Sequence, residues 1–227
     1  LLESPLDNGL PSPDLYQDSK TISTNAFAFA QADIKYRPTK TTLTLAANYG
    51  RLNYDHTDRL DTDPIDYSGT RKFAPQFLPR IGLLQTMFNK KITLYGDLAY
   101  GQSAPALWET LQSNGAMNTD LQAENSTIVE IGAKTRLLNY KLSLDFSTYQ
   151  MTLDNAIVSA VDSTGLTTYH NTGQIAQNGF EAKAYYNFIY GQEQKKVSLL
   201  RLSTTLTWQD FRFTDYVKDG EDYSGNL

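Results

Sequence analysis

Val129-Glu130-Ile131-Gly132-Ala133-Lys134-Thr135-Arg136-Leu137, then Leu138-Asn139-Tyr140, then Leu142-Ser143-Leu144-Asp145-Phe146-Ser147, is the stretch that decides the fold. Before the turn, Val129, Ile131, Ala133 and Leu137 share one face, and Glu130, Lys134 and Arg136 share the other. After it, Leu142, Leu144 and Phe146 oppose Ser143, Asp145 and Ser147. Apolar residues returning at every second position mark a strand, because side chains alternate across its two faces; a helix would repeat every three to four. Two such runs on either side of a short polar turn predict a β-hairpin.

The same unit recurs about four times. Alternation predicts strands over Thr21–Tyr36, Thr41–Tyr54, Phe73–Leu84, Ile92–Gln102, Ser126–Leu138, a sixth from Leu142, Asn178–Ile189 and Lys196–Phe211. Ala26, Ala28, Ala30, Ala32 and Ile34 form the apolar face of the first, and Leu200, Leu202, Leu206 and Trp208 that of the last. Short turns (Arg37-Pro38-Thr39-Lys40, Asn89-Lys90-Lys91, Leu138-Asn139-Tyr140, Tyr190 to Lys195) alternate with long polar loops (Asp55 to Arg71, Ser103 to Asn125, Asp154 to Gln177). Pro105 to Leu111 is expected to hold a helical turn, and the Asp154–Gln177 loop a short β-ribbon. The strands are roughly 12–16 residues long where an ordinary globular strand has roughly 5–6. Long strands, short at one end and long-looped at the other, are the pattern of a transmembrane β-barrel.

Composition narrows the rest. A net charge of −5 and a pI near 5.0 leave no basic stripe to neutralise phosphates, so no nucleic-acid partner is expected. The absence of cysteine excludes disulfides and thiolate metal sites. No run of 18 apolar residues exists to form a membrane helix. A mean hydropathy of −0.45 is compatible with barrel strands, which are apolar on one face only. The 15 tyrosines and 10 phenylalanines suit interfacial girdles. Leu1-Leu2-Glu3 carries no initiator Met and Ser224-Gly225-Asn226-Leu227 has loop chemistry, so the chain is read as a piece of a longer protein.

A β-sandwich shares the period of two but points its apolar face into a protein core. Strand length and loop asymmetry favour the barrel. So do the charges near mid-strand (Asp33, Arg80, Asp97, Glu130, Lys134, Asp145), which a wet lumen tolerates and lipid penalises by roughly 2–4 kcal/mol each.

Several segments carry a resemblance. Tyr95-Gly96-Asp97-Leu98-Ala99-Tyr100-Gly101 through Pro105-Ala106-Leu107-Trp108-Glu109 resembles the aryl-x-x-G-F-x-x-P-x-x-x-E-L segment of TonB-dependent outer-membrane receptors. Leu121-Gln122-Ala123-Glu124-Asn125-Ser126 through Glu130-Ile131-Gly132 is similar to that family's N-x-x-L-K-P-E-x-S-x-x-x-E-x-G signature, with Ala123 in place of Pro. Phe146-Ser147-Thr148-Tyr149 with Asp154-Asn155-Ala156-Ile157, and Tyr169-His170-Asn171-Thr172-Gly173 with Asn178-Gly179-Phe180-Glu181, resemble two further segments in the same order. The resemblance covers about Phe73 to Leu227. It implies a 22-stranded antiparallel barrel in the bacterial outer membrane, of which this chain supplies about eight strands, with the plug domain and final strands absent. It also implies TonB as a partner acting through the missing plug region, outer-membrane lipid around the wall, and energised uptake of a ferric siderophore, cobalamin or oligosaccharide. A small closed barrel acting as adhesin and a soluble carbohydrate-binding sandwich are the alternatives. Made alone, a segment with two raw sheet edges is expected to pair with copies of itself or to open flat.

Candidate ligand-binding residues lie in the long loops: His56 beside Asp55, Asp58, Asp61, Asp63 and Asp66; Trp108 and Glu109 after Pro105; and His170. The acidic loop lacks EF-hand spacing and is read as solvated, with no metal site. No phosphate loop, metal motif or nucleophile context is present, so neither enzyme nor cofactor is expected. Glu130 and Glu181 are read as structural ion-pair members near Lys134, Arg136 and Lys183, not as a catalytic pair.

Overall fold

The computed structural model describes residues 2–3, 6–7, 10–11, 17–60, 65–112, 116–161, 167–190, 196–218 and 221–226. Eight long strands follow one another: β1 (Gln17–Tyr36), β2 (Thr41–Asp58), β3 (Gln76–Met87) and β4 (Ile92–Ser103). They continue with β5 (Glu124–Leu137), β6 (Leu142–Asp154), β7 (Gln174–Ile189) and β8 (Leu200–Asp215). Each pairs antiparallel with its sequence neighbours in a single sheet. Among the described residues, only Leu2–Glu3 pairs with the outer edge of β1 and nothing with that of β8, so the sheet is open.

Most boundaries differ from the alternation in one direction. β1, β2 and β7 run several residues further toward the long loops, because backbone pairing continues past the point where the side chains stop alternating. The third strand begins at Gln76 instead of Phe73, since Pro75 has no N–H to give the ladder; Phe73 turns into the loops. A short strand, Gly69–Lys72, pairs with the far end of β2 and was hidden in the polar loop sequence. The helical turn is present as α1 (Leu107–Thr110), and the ribbon as Ile157–Val161 paired with Thr167–Asn171.

Two of the short connections share one geometry. Phe88–Lys91 and Leu138–Lys141 each close with a bond from the last N–H to the first carbonyl, both 3.1 Å. The central pairs Asn89-Lys90 and Asn139-Tyr140 all have positive φ, as do Phe88 and Leu138 before them, so the chain reverses through a left-handed run in both. Asparagine leads both pairs because it tolerates the left-handed conformation better than most residues.

Register reveals the tilt. Tyr36, the last residue of β1, is level with Thr41, the first of β2, and Thr41 is level with Gln85, two short of the end of β3. Gln85 is level with Leu94, and Leu94 with Ala133, four short of the end of β5. Each hairpin is therefore displaced by two residues, or one per strand. One residue of rise, about 3.3 Å, against about 4.8 Å between strands gives a slope of about 35°. That is the tilt a closing barrel wall requires.

The apolar face meets no second layer among the described residues: Ile131 and Leu206 are each 58% exposed, and Leu45, Ile81, Leu98 and Val129 are exposed as well. A sandwich would have covered them. Phe146, Phe180 and Trp208 make an aromatic row on this face, with ring centroids 6.2 and 5.9 Å apart. Burial is concentrated elsewhere, at the long-loop end, in Leu121, Ala156 and Thr110.

Candidate functional site

On the opposite face the register stacks polar side chains into a belt. Arg80 on β3 holds Asp97 on β4, Nε to carboxylate 2.9 Å; Lys134 on β5 reaches Asp145 on β6 at 3.3 Å; Lys183 and Glu181 pair along β7 at 3.7 Å. Tyr95 donates its hydroxyl to Glu130 at 3.1 Å, and the Lys134 ammonium lies 5.2 Å from the centre of the same ring. Glu130 and Glu181 are thus engaged structurally, although the partner of Lys134 is Asp145 and that of Glu130 is a phenol. The pairs are partly solvated, so each contributes about 0–1 kcal/mol. The hydroxyl end of the Tyr95 ring lies against Gly132, and that of Tyr149 against Gly179; a Cβ at either glycine would run into the ring. The glycines of both motif segments are therefore seats for tyrosines from the neighbouring strand.

Above the belt the inward face becomes apolar. Ile128, Met151, Leu153, Ile175, Phe211 and Phe213 share the parity of the belt residues by register. Phe27 and Phe29 do so on β1 and are 70% and 76% exposed.

At the long-loop end three loops lock into one body. Beside the first, the hydroxyl of Tyr54, near the end of β2, donates to the Pro105 carbonyl at 2.9 Å, and Tyr54 packs edge-on against Phe73, centroids 5.5 Å apart. Arg71 stacks on Phe73 and donates to the Leu121 carbonyl at 2.8 Å, tying the first loop to the second. The third is joined by Asn171, whose amide donates to the carbonyls of Asn155 (2.7 Å) and Gln122 (2.9 Å) and accepts from the Gln122 N–H. Glu124 accepts the Ile157 N–H at 2.8 Å, and Asn118 donates to the Tyr169 carbonyl at 3.1 Å. Leu121, Pro105 and Thr110 are sealed within this body.

The four residues singled out from sequence occupy different settings. Trp108 stands on α1 and is 70% exposed. Its neighbour Glu109 folds back to accept the Ala106 N–H at 2.7 Å, which supplies the helix start that alanine at the N-cap cannot. His170 sits on the ribbon strand Thr167–Asn171, opposite Val158 and adjacent to α1. His56 is 4% exposed, its Nδ1 2.8 Å from the Thr21 hydroxyl, so it anchors β2 to β1 and does not face solvent. Trp108, Glu109 and His170 therefore share one loop body, and His56 lies apart from them in the wall. Tyr54, Arg71, Leu121 and Asn171, which hold that body together, were not singled out from sequence; Leu121 and Asn171 stand in the quoted motifs, but nothing in one dimension shows that they meet.

The acidic loop is internally occupied. Asp58 accepts the Leu60 and Tyr67 N–H groups and Asp55 the Thr70 hydroxyl; Asp61 and Asp63 lie outside the described residues. The Ser68 hydroxyl and N–H hold the Asp66 carboxyl below its ordinary range. No group of three or more His, Cys, Asp or Glu among the described residues could hold a metal ion.

Residues 3–227 match the family model described as TonB dependent receptor-like, beta-barrel. Among solved structures, the FrpB iron transporter from Neisseria meningitidis (F3-3 variant) matches at 18% identity with a TM-score of 0.66, covering 90% of this chain and 28% of that one. The siderophore receptor PiuA from Acinetobacter baumannii matches at 17% identity and TM-score 0.66, covering 91% and 28%. The copper transporter OprC matches at 17% identity and TM-score 0.62, covering 91% and 29%. At these identities the structures show the fold, and the chain spans less than a third of each of them. The family is one of transport receptors of the Gram-negative outer membrane, not of enzymes. With the family match extending over nearly its whole length, and a tilted wall apolar on one face and charged on the other, this chain belongs to the TonB-dependent receptors and forms part of their outer-membrane β-barrel.

Proposed function

We propose that this chain is the ligand-facing wall and loop body of a receptor that imports a scarce ligand with energy from TonB, a ferric siderophore being the first candidate. The observation that carries the reading is the asymmetry of the two ends. Three long loops form a single packed body at one end, with Trp108 exposed on it, while at the other end, among the described residues, 37–40, 88–91 and 138–141 are tight turns. Rigid loops on a barrel rim present a fixed surface for capture, which reduces the ordering cost of binding. The likeness to proteins named as iron, siderophore and copper transporters supports a metal complex over an oligosaccharide or cobalamin as the ligand. The plug that gates the lumen, and through which TonB acts, lies outside this chain on this reading.

Cells in which the full-length protein is the sole receptor, supplied with a panel of radiolabelled ferric siderophores, test this. Uptake of at least one, abolished by a protonophore, is expected. Energised uptake of cobalamin or an oligosaccharide alone would replace the ligand class, and no energised uptake of any of them would end the importer reading.

A further inference from the structure

Above Arg80 and Ala99 the wall forks. Their pairing is the last of the β3–β4 ladder toward the long loops. Beyond it β3 continues to Gln76 paired with β2, and β4 continues to Ser103 paired with β5. Pro79 stands at the parting, with no N–H to extend the ladder. On the lipid-facing side the fork opens into a groove of about 650 Å³, lined by Ala47, Phe77, Pro79, Ile81, Leu98 and Tyr100. Two cations stand above it on the same face. Arg51 lies two residues beyond Tyr49 on β2 and donates to the Tyr49 hydroxyl at 3.2 Å. Lys72, on the short strand that follows the line of β3 along β2, is level with Asn53 and so shares that face. Both are exposed, and neither forms an ion pair among the described residues. Asp55, two residues past Asn53, accepts the Thr70 hydroxyl at 2.8 Å.

We propose that the fork is a seat for one phosphorylated glycolipid of the outer leaflet, with an acyl chain in the groove and a phosphate between Arg51 and Lys72. Height and face select a lipid. Tyr49, Phe77 and Tyr100 end the outward apolar runs of β2, β3 and β4, which sets the level of the membrane interface. The two cations stand one step beyond that level, where headgroups lie and anionic ones attract basic side chains. One strand across and two residues along separates their backbones by about 8 Å, so both side chains can reach one phosphate. The neighbouring polar groups select a sugar. Gln102 and Asn125 come level on β4 and β5, two residues beyond Tyr100 and Thr127 on the same face, and bond to each other at 2.9 Å. Carboxamides both donate and accept, which suits the hydroxyls of a sugar headgroup. Arg212, the outward cation of β8, is by contrast neutralised by Asp210 at 2.9 Å. The seat belongs to the outside of the wall and does not depend on which ligand the receptor imports.

Native mass spectrometry of the full-length protein in mild detergent tests this, with diphosphorylated lipid A and phosphatidylglycerol as separate probes. The wild type is expected to hold one lipid A molecule under collisional activation that strips phosphatidylglycerol. R51Q/K72Q should lower lipid A retention by about tenfold or more, since each cation near a membrane surface is worth about fivefold in anion binding. A47W, which fills the groove and leaves the charge alone, should lower it at least about threefold. R212Q, which removes a cation that is already paired, should leave it unchanged. Heat-modifiable gel mobility checks that the variants fold, and K72Q replaces the double variant if that one does not, with an expected loss of about fivefold. The proposal is overturned if R212Q costs as much lipid A as the substitutions at the fork, if A47W retains it fully, or if phosphatidylglycerol is held as firmly as lipid A.

Discussion

The wall and the loop body of this protein are held together by different physics. Along the wall, side chains such as Ile131, Leu206 and Phe146 remain exposed on one face and Lys134 and Arg136 on the other; what the wall supplies for itself is the hydrogen-bond ladder and the ion-pair belt. Its apolar face gains only from hydrocarbon supplied from outside. The loop body does the reverse. It encloses Leu121, Thr110, Pro105 and Ala156 and satisfies its backbone through Asn171, Glu124 and Arg71, as a small soluble domain would. A barrel protein thus carries its solvent-independent core at the rim, where water replaces lipid and burial must come from the chain itself.

The largest effect that should separate the two regions is Leu121→Ala. A fully buried leucine truncated to alanine costs about 2–5 kcal/mol. Because the loss is confined to the rim, limited proteolysis should release the loops while the barrel keeps its resistance to heat in detergent; a barrel that melts together with its loops would show that the regions are not independent. Next comes Ile131→Arg, which places a cation against hydrocarbon near mid-wall. It should destabilise by roughly 2–4 kcal/mol in lipid vesicles, measured by denaturant titration, and leave loop proteolysis unchanged. An equal loss at the loops would blur the comparison. The smallest is Gly132→Ala. The added methyl displaces the Tyr95 ring, and with it the bond to Glu130 and the contact with Lys134, for about 1–2 kcal/mol. Since the ring end can swing aside, pairing with Tyr95→Phe should give a combined loss smaller than the sum; strict additivity would mean that the tyrosine does not use the glycine as its seat.

Much of the wall was legible in sequence. Alternation over Val129–Leu137 and its counterparts fixed which side chains share a face, because a strand's side-chain period of two leaves only one register compatible with a single apolar side. The boundaries were less legible. Gln17–Lys20 and Asp55–Asp58 pair as strand without alternating, since above the lipid neither face needs to be apolar. The inward face was expected to be polar, yet Phe27, Phe29, Phe211 and Phe213 lie on it. Of the candidate residues, Trp108 and Glu109 were singled out for their place after Pro105 and the structure puts them on the loop body, whereas the burial of His56 against Thr21 depends on a strand pairing that local sequence does not display.

By itself, then, the sequence determined the strands, their two faces and the alternation of tight turns with long loops, because these are local consequences of side-chain period and turn chemistry. Only the tertiary structure decided the tilt, the seating of Tyr95 and Tyr149 against glycines, the joining of three loops through Leu121 and Asn171, and the fork between β3 and β4 below Arg51 and Lys72. Each of these depends on which residues of separate strands come level with one another, and that is set by the stagger accumulated from hairpin to hairpin.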